Sequence, residues 1–243
     1  MVLATDLGKL GAKFHAKVRL VGHSSYKAHP AKIQHIKECQ DMNCDCSTDD
    51  CSNVNEGKEC PLSCSKKPKG CKNQDFRRFY ETEPCFEIAH AAGKGFGLFA
   101  KREIKKKELV ILYNGEIITK EEFQKRHETY HKNGNEHYYM FEAGKFYIDP
   151  TVRGNSGRFA NHSCKPNLEV VRRTVAWRKE GFIAIGYRAK RDIRAGRELT
   201  IDYNFAFDPE TSQICRCRAK LCKGWIGERP QKVDINLEDE QLI

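Results

Sequence analysis

Between residues 108 and 118 the chain reads ELVILYNGEII, two short aliphatic runs split by Asn-Gly, a pair that favours a turn. KFYIDP at 145–150, GFIAIGYRA at 181–189 and ELTIDYNF at 198–205 have the same strand composition. One segment breaks the pattern. After Thr119, KEEFQKRHETYHKNG opens on acidic residues and closes on Asn-Gly, which is the punctuation of a helix. Short strands and few helices predict a mostly β fold of small sheets, not a strand–helix–strand nucleotide fold. GKGFG at 93–97 does not reverse this: it lacks the full Gly-x-Gly-x-x-Gly pattern, and no convincing helix follows.

The apolar pattern fails between residues 39 and 85. DCSTDDCSNVNEGKECPLSCSKKPKGC carries almost no Val, Ile, Leu or Phe, so it cannot bury enough surface to fold alone. Its cysteines are the alternative source of stability. The chain has twelve, and seven lie between Cys39 and Cys71, with three more at Cys215, Cys217 and Cys222. The N-terminus has scattered lysines and no continuous apolar region, which predicts no secretory signal and argues against disulfides. Zinc takes four thiolate or imidazole ligands in closed structural sites, and both clusters suit it. Cys85 stands apart and reads as a small core residue. The predicted organisation is a lead-in at 1–38, a cysteine-rich module at 39–85, the apolar core at 86–207, a second cysteine unit at 208–229 and an acidic tail at 230–243.

Composition narrows the partners. Hydrophobic content is 39%, and no run of about 18 apolar residues exists to span a membrane. The formal charge of +10 suits polyanions. It is clustered in KREIKKK at 101–107 and SKKPKGCK at 65–72, which read either as a solvated lysine face or as contacts to DNA phosphates.

RFANHSCKPN at 158–167 gathers an amide, an imidazole and a thiol. Taken alone it reads as a polar turn with a buried cysteine or as a binding segment. Its neighbours decide. GKGFGLFA, YNGEII, HYYMF, RFANHSC, ELTIDYNF and CRCRAKLC occur in the order found in SET-domain protein lysine methyltransferases. The upstream cysteine module resembles AWS, and CRCRAKLC with GWIG resembles post-SET. The combination most resembles the NSD-like group, whose substrate class is lysine 36 of histone H3.

The resemblance implies a SET fold of small sheets with a knot-like core, the NHSC segment threading near the DYNF strand. It implies S-adenosylmethionine held by Asn161 and His162, mainly through backbone and amide contacts, together with Lys94, Gly95, Phe96, His137, Tyr138, Tyr139, Arg158 and Gln213. Arg158 is there a structural or orienting residue. Tyr203 is implied as the catalytic tyrosine, in a lysine channel lined by Tyr139, Phe141, Ile201 and Phe205; each aromatic could instead be a core residue. Cys164 is implied as the fourth ligand to Cys215, Cys217 and Cys222, a set one short of tetrahedral by itself. In the AWS-like module Cys39, Cys44, Cys46 and Cys51 would hold one zinc, and a shared Cys46 with Cys60, Cys64 and Cys71 another, giving about three zincs per chain. The residue two before the catalytic tyrosine is usually Phe or Tyr in this family, and here it is Ile201.

Lysine methylation needs a neutral amine, and only roughly one lysine in a thousand is neutral near pH 7.4. A desolvating aromatic channel that aligns nitrogen, methyl and sulfur answers that need. The expected function is therefore methylation of histone H3 in nucleosomes, in nuclear chromatin, with nucleosomal DNA met by the basic runs. Another histone H3 lysine (4 or 9), a non-catalytic nucleosome-binding SET module and a zinc-dependent nucleic-acid module are the alternatives, although C₂H₂ finger spacing is absent.

Overall fold

The computed structural model describes residues 19–20, 46, 51–61, 64, 71–79, 82–133, 139–175, 182–204 and 213–227. The predicted site residues Cys39, Cys44, His137, Tyr138 and Phe205 lie outside them, as does most of the 65–72 basic run.

Strands dominate, as the apolar runs predict. In chain order they are β1 (Arg19–Leu20), β2 (Phe86–Ala91), β3 (Gly95–Ala100), β4 (Leu109–Leu112), β5 (Gly115–Ile118), β6 (Phe141–Ala143), β7 (Phe146–Gly154), β8 (Asn161–His162), β9 (Leu168–Thr174), β10 (Ile183–Ala189), β11 (Glu198–Ile201), β12 (Gln213–Ile214) and β13 (Trp225–Ile226). The helices α1 (Ser52–Asn55) and α2 (Asp75–Arg78) are single turns. Among the described residues only α3 (Lys120–Lys132) is long, and it starts where Thr119 Oγ1 accepts the Glu122 amide. Among the described residues no helix is long and apolar enough to cross a membrane.

Three small sheets wrap one core. β4, β10 and β9 form the first, with β10 central and buried along nearly its whole length. β2, β3, β11 and β8 form the second, where β2 and β11 alternate inward and outward residues. β7 pairs with β1, β5 and β6 in the third. Leu98, Ile104, Ile111, Ile148, Leu168, Ile185 and Leu199 fill the space between them.

The Asn-Gly pair at 114–115 does not make a hairpin. β4 before it pairs with β10, whereas β5 after it pairs with β7. Long-range partners override the local turn preference, and the chain crosses between sheets at this point. The crossing is tight. A Cβ on Gly115 would lie 2.6 Å from the Asp149 carbonyl, and one on Gly154 would lie 2.5 Å from the Pro150 side chain.

The cysteine-rich module is not a separate body. It has its own cluster of Cys46, Cys51, Cys60, Cys64 and Cys71 with Val54, as its lack of aliphatics requires. Yet Phe76 of α2 is fully buried in the main core. The Glu59 amide donates to Thr174 O at the end of β9, and the Thr174 amide donates to Gly57 O. The sequence boundary at residue 85 therefore divides composition, not packing.

Candidate active site

The NHSC segment is laid down beside DYNF. β8 pairs in parallel with β11, Asn161 opposite Thr200 and His162 opposite Ile201. The Ser163 amide then donates to Ile201 O at 2.8 Å. Residues some forty positions apart thus share one ladder, with β8 at the edge of its sheet.

Both ring nitrogens of His162 are engaged. Its Nδ1 accepts the Tyr203 amide at 3.3 Å, and its Nε2 lies 3.6 Å from Cys164 Sγ. A ring that accepts at Nδ1 carries its proton on Nε2, where it can donate to the sulfur. Burial holds the imidazole pKa below its usual value, so the ring is neutral at pH 7. The side chain therefore fixes Tyr203 to the cysteine cluster, and only the backbone of His162 is left to face a ligand.

Tyr203 follows β11 and turns back over β8. Its hydroxyl donates to Ala160 O at 3.1 Å, and its ring meets His162 edge-on at 5.5 Å. Burial, with the neighbouring Tyr139, raises its pKa well above the ordinary phenol value. Tyr203 is a neutral hydroxyl and not a base. Because its proton is directed to Ala160, its oxygen lone pairs face elsewhere.

A cleft of about 380 Å³ opens in front of that hydroxyl. Tyr113, Tyr139, Phe141, Tyr187, Ile201 and Tyr203 line it. Tyr113 lies 4.7 Å from Phe141 and 5.7 Å from Tyr187, centroid to centroid. The Tyr113 hydroxyl donates to Tyr139 O and fixes that backbone. Burial pushes the Tyr113 and Tyr187 phenols far up as well, so these rings stay neutral. Arg158 sits behind it. Its guanidinium lies 4.2 Å over the Tyr139 ring and donates to Pro150 O and Thr151 O of β7. That makes it a support for Tyr139. Glu142, Glu169 and Asp202 stand among the cleft's lining residues, as do Arg172 and Lys190.

On the other side of β8 lies the glycine turn. Gly93 and Gly95 have φ of +75° and +76°, which the turn between β2 and β3 requires. Lys94 Nζ is held by both oxygens of Glu198 at 2.7 and 2.6 Å. The Asn161 side-chain amide donates to Phe96 O at 3.1 Å and to Glu198 Oε1 at 2.9 Å. Lys94, Phe96 and Asn161 are thus brought together, but around Glu198. Gln213 stands apart in β12, opposite Ile226.

Cys164, Cys215, Cys217 and Cys222 place four sulfurs within 4.8 Å of one another, as do Cys46, Cys60, Cys64 and Cys71. Cys164 lies 3.7 Å from Cys215, and Cys46 lies 3.8 Å from Cys64. Four sulfurs on a metal at about 2.3 Å would be about 3.8 Å apart, whereas a disulfide needs about 2.05 Å. Amides of Lys223, Ala219 and Gly224 point at Cys164, Cys217 and Cys222. Burial opposes ionisation of Cys217, but the Ala219 amide and neighbouring groups outweigh it and bring its pKa down to about 6. Such donors suit thiolates, so the residues fit zinc. Cys51 approaches Cys60 at 3.7 Å, and Cys85 is a buried core residue as expected. The C-terminal unit also grips the glycine turn, because Arg216 donates to Gly93 O at 2.9 Å.

Sequence reasoning missed Glu198, Tyr113, Tyr187 and Arg216. Tyr187 lies in an apolar run and looks like any core aromatic. Glu198 opens a strand in a highly charged segment, so nothing local marks it.

Comparison with known proteins defines the class. Residues 95–204 match the family described as SET domain, which spans β3 to the end of the cleft. The chain is a SET-domain protein. Over 184 residues it is 36% identical to histone-lysine N-methyltransferase Set2 of Drosophila melanogaster, covering 75% of this chain and 8% of that protein. It is 39% identical to the mouse histone-lysine N-methyltransferase NSD3 over 173 residues, covering 70% and 12%. It is 34% identical over 207 residues to histone-lysine N-methyltransferase, H3 lysine-36 specific, of Aspergillus oryzae, covering 83% and 20%. In each case the chain spans a fifth or less of the relative.

Proposed function

We propose that this chain is an S-adenosylmethionine-dependent lysine N-methyltransferase acting on histone H3 in nucleosomes, at lysine 36, in the nucleus. One observation carries the reading: the Tyr203 hydroxyl, fixed on Ala160 O, ends an aromatic cleft one residue from the edge strand Asn161–His162. The relatives' names supply the substrate class, and one of them supplies the lysine.

S-adenosylmethionine fits the residues on the far side of that hydroxyl. β8 pairs with β11 along one edge, and among the described residues no strand takes the other. Those backbone groups suit the hydrogen-bonding rim of an adenine. A Cβ built on Gly95 meets nothing within 4 Å, so the turn leaves room beside Lys94 and Phe96. His162, Asn161, Gly95 and Phe96 would hold the cofactor, with Arg158 acting through Tyr139. When bound, it supplies a sulfonium methyl.

The chain's own residues do the rest. Tyr139, Phe141, Tyr187 and Ile201 desolvate an entering lysine and favour its neutral amine, so the proton leaves to water at the mouth. Neutral Tyr113 and Tyr203 offer lone pairs toward positive charge without taking a proton. Collinear alignment of the amine can supply roughly 7–11 kcal/mol of the barrier. Glu142, Glu169 and Asp202 offer carboxylates to a basic peptide, although Arg172 and Lys190 beside them leave the mouth without a strong net negative charge.

Tyr203→Phe removes only the hydroxyl. It should retain binding of S-adenosylhomocysteine in calorimetry and lose on the order of 100-fold in methyl transfer to histone H3. Full turnover in that variant would refute the role of Tyr203.

A further inference from the structure

Two segments of this chain repeat one another: AKREIKKKEL at 100–109 and AKRDIRAGREL at 189–199. In the fold they meet. Ile104 donates to Ile193 O at 2.9 Å, and Ile193 donates back to Ile104 O at 2.8 Å. The flanking bonds are also exchanged, since the Lys107 amide reaches Ala189 O and the Gly196 amide reaches Ala100 O. Lys107 and Gly196 occupy equivalent positions and share left-handed backbone, with φ of +71° and +75°. The result is a two-fold lobe built from KREIKKKE and KRDIRAGR. Only Ile104 and Ile193 are buried along its two loops, and all of its basic residues are exposed.

The lobe carries nine basic residues against three acidic ones. The acids are already engaged. Arg102 pairs with Glu108 at 2.7 Å, and Lys105 pairs with Glu103 at 2.7 Å and reaches Asp192 at 3.6 Å. The excess therefore falls on the lysines and arginines beside them, three from the first loop and four from the second. Pairing doubles what the first run offers by itself. Lys190 ends β10's loop inside the cleft lining, so the charged face begins at the mouth of the active site.

We infer that this lobe is a docking surface for the phosphate backbone of duplex DNA beside the substrate lysine. It deepens the nucleosome reading above and rests on it for the source of the polyanion. Charge complementarity points to phosphates. Neither loop contains an aromatic residue, so the stacking platform that single strands need is missing. The lobe suits a backbone and not unstacked bases.

The test measures binding of the whole chain to a short duplex by fluorescence anisotropy at several salt concentrations. The triple variant Lys106→Glu, Arg194→Glu, Arg197→Glu draws on both loops, leaves the paired Lys105 alone and spares Arg191, which donates to Pro166 O beside the cleft. It should bind roughly tenfold or more weakly, with the slope of log affinity against log salt shallower by about 2–3. Lys125→Glu with Lys132→Glu, on the exposed side of α3, should leave both unchanged. Thermal unfolding and methylation of a free histone H3 peptide should match wild type in each variant. An unchanged slope in the lobe variant, an equal loss in the α3 variant, or tighter binding to the single strand than to the duplex would overturn the inference. Because binding is read without turnover, failure of the methyltransferase assignment would leave these readings distinct.

Discussion

At the residue scale, the chemistry concentrates on side chains whose atoms are already committed. Asp149 is the clearest case outside the cleft. Its carboxylate is fully buried and accepts from Arg126 Nη1 at 2.8 Å, the Tyr130 hydroxyl at 3.0 Å and the Thr151 amide at 2.9 Å. Burial alone would raise its pKa, but these hydrogen bonds outweigh it and hold the carboxyl below the usual range. A lowered folded-state pKa means that the stabilisation is fully present above about pH 4 and is lost as pH falls through the folded value. Asp149→Ala should cost about 1–3 kcal/mol at pH 7, because the Tyr130 hydroxyl and the Thr151 amide lose their acceptor, while Arg126 keeps Glu116 and Glu122. In urea unfolding the gap to wild type should narrow below about pH 4, and a gap independent of pH would contradict the assignment. Tyr203 makes the complementary point: its raised pKa removes it as a base, so its own ionisation contributes nothing to the pH dependence of methyl transfer near neutral pH.

At the scale of elements, some features were legible in the sequence and others were not. Local composition placed the strands, and helix punctuation placed α3. The family resemblance implied Cys164 as the fourth ligand of the C-terminal unit, and the count of three local cysteines agreed with it. Partner choice was not legible. Nothing in ELVILYNGEII says that β4 belongs to β10 and β5 to β7, because that is decided by burial over a hundred residues. Glu198 was hidden for the same reason: its partners, Lys94 and Asn161, arrive from the turn between β2 and β3 and from β8. The crossing at Gly115 gives a direct test. Gly115→Ala places a methyl against immovable backbone and should destabilise the fold by about 1–3 kcal/mol in thermal or urea unfolding. Wild-type stability would show that β5 and β7 can separate at no cost.

The zinc units extend this scale. Full loading should give about three zincs per chain by elemental analysis, and one or fewer in active protein would reject the assignment. Cys164→Ser should release the C-terminal unit, exposing 213–227 to proteolysis and weakening cofactor binding. The effect would pass through the Arg216 hold on Gly93 and the His162 hold on Tyr203, as no substrate touches Cys164. Unchanged proteolysis would show that the unit is held without its fourth sulfur.

At the scale of the whole molecule, one core, two sulfur clusters and a cleft between two sides of β8 make a single device. On the proposed reading, one side offers backbone to the cofactor, the other an aromatic wall to the lysine, and the Tyr203 hydroxyl lies between them. The central claim is that this device transfers methyl groups to a lysine of histone H3. Mass-spectrometric mapping of recombinant nucleosomes incubated with the chain and S-adenosylmethionine tests it most directly. Methyl groups at lysine 36 of histone H3, absent with Tyr203→Phe, are the expected result, and nucleosomes left unmethylated by folded, zinc-loaded protein would contradict it.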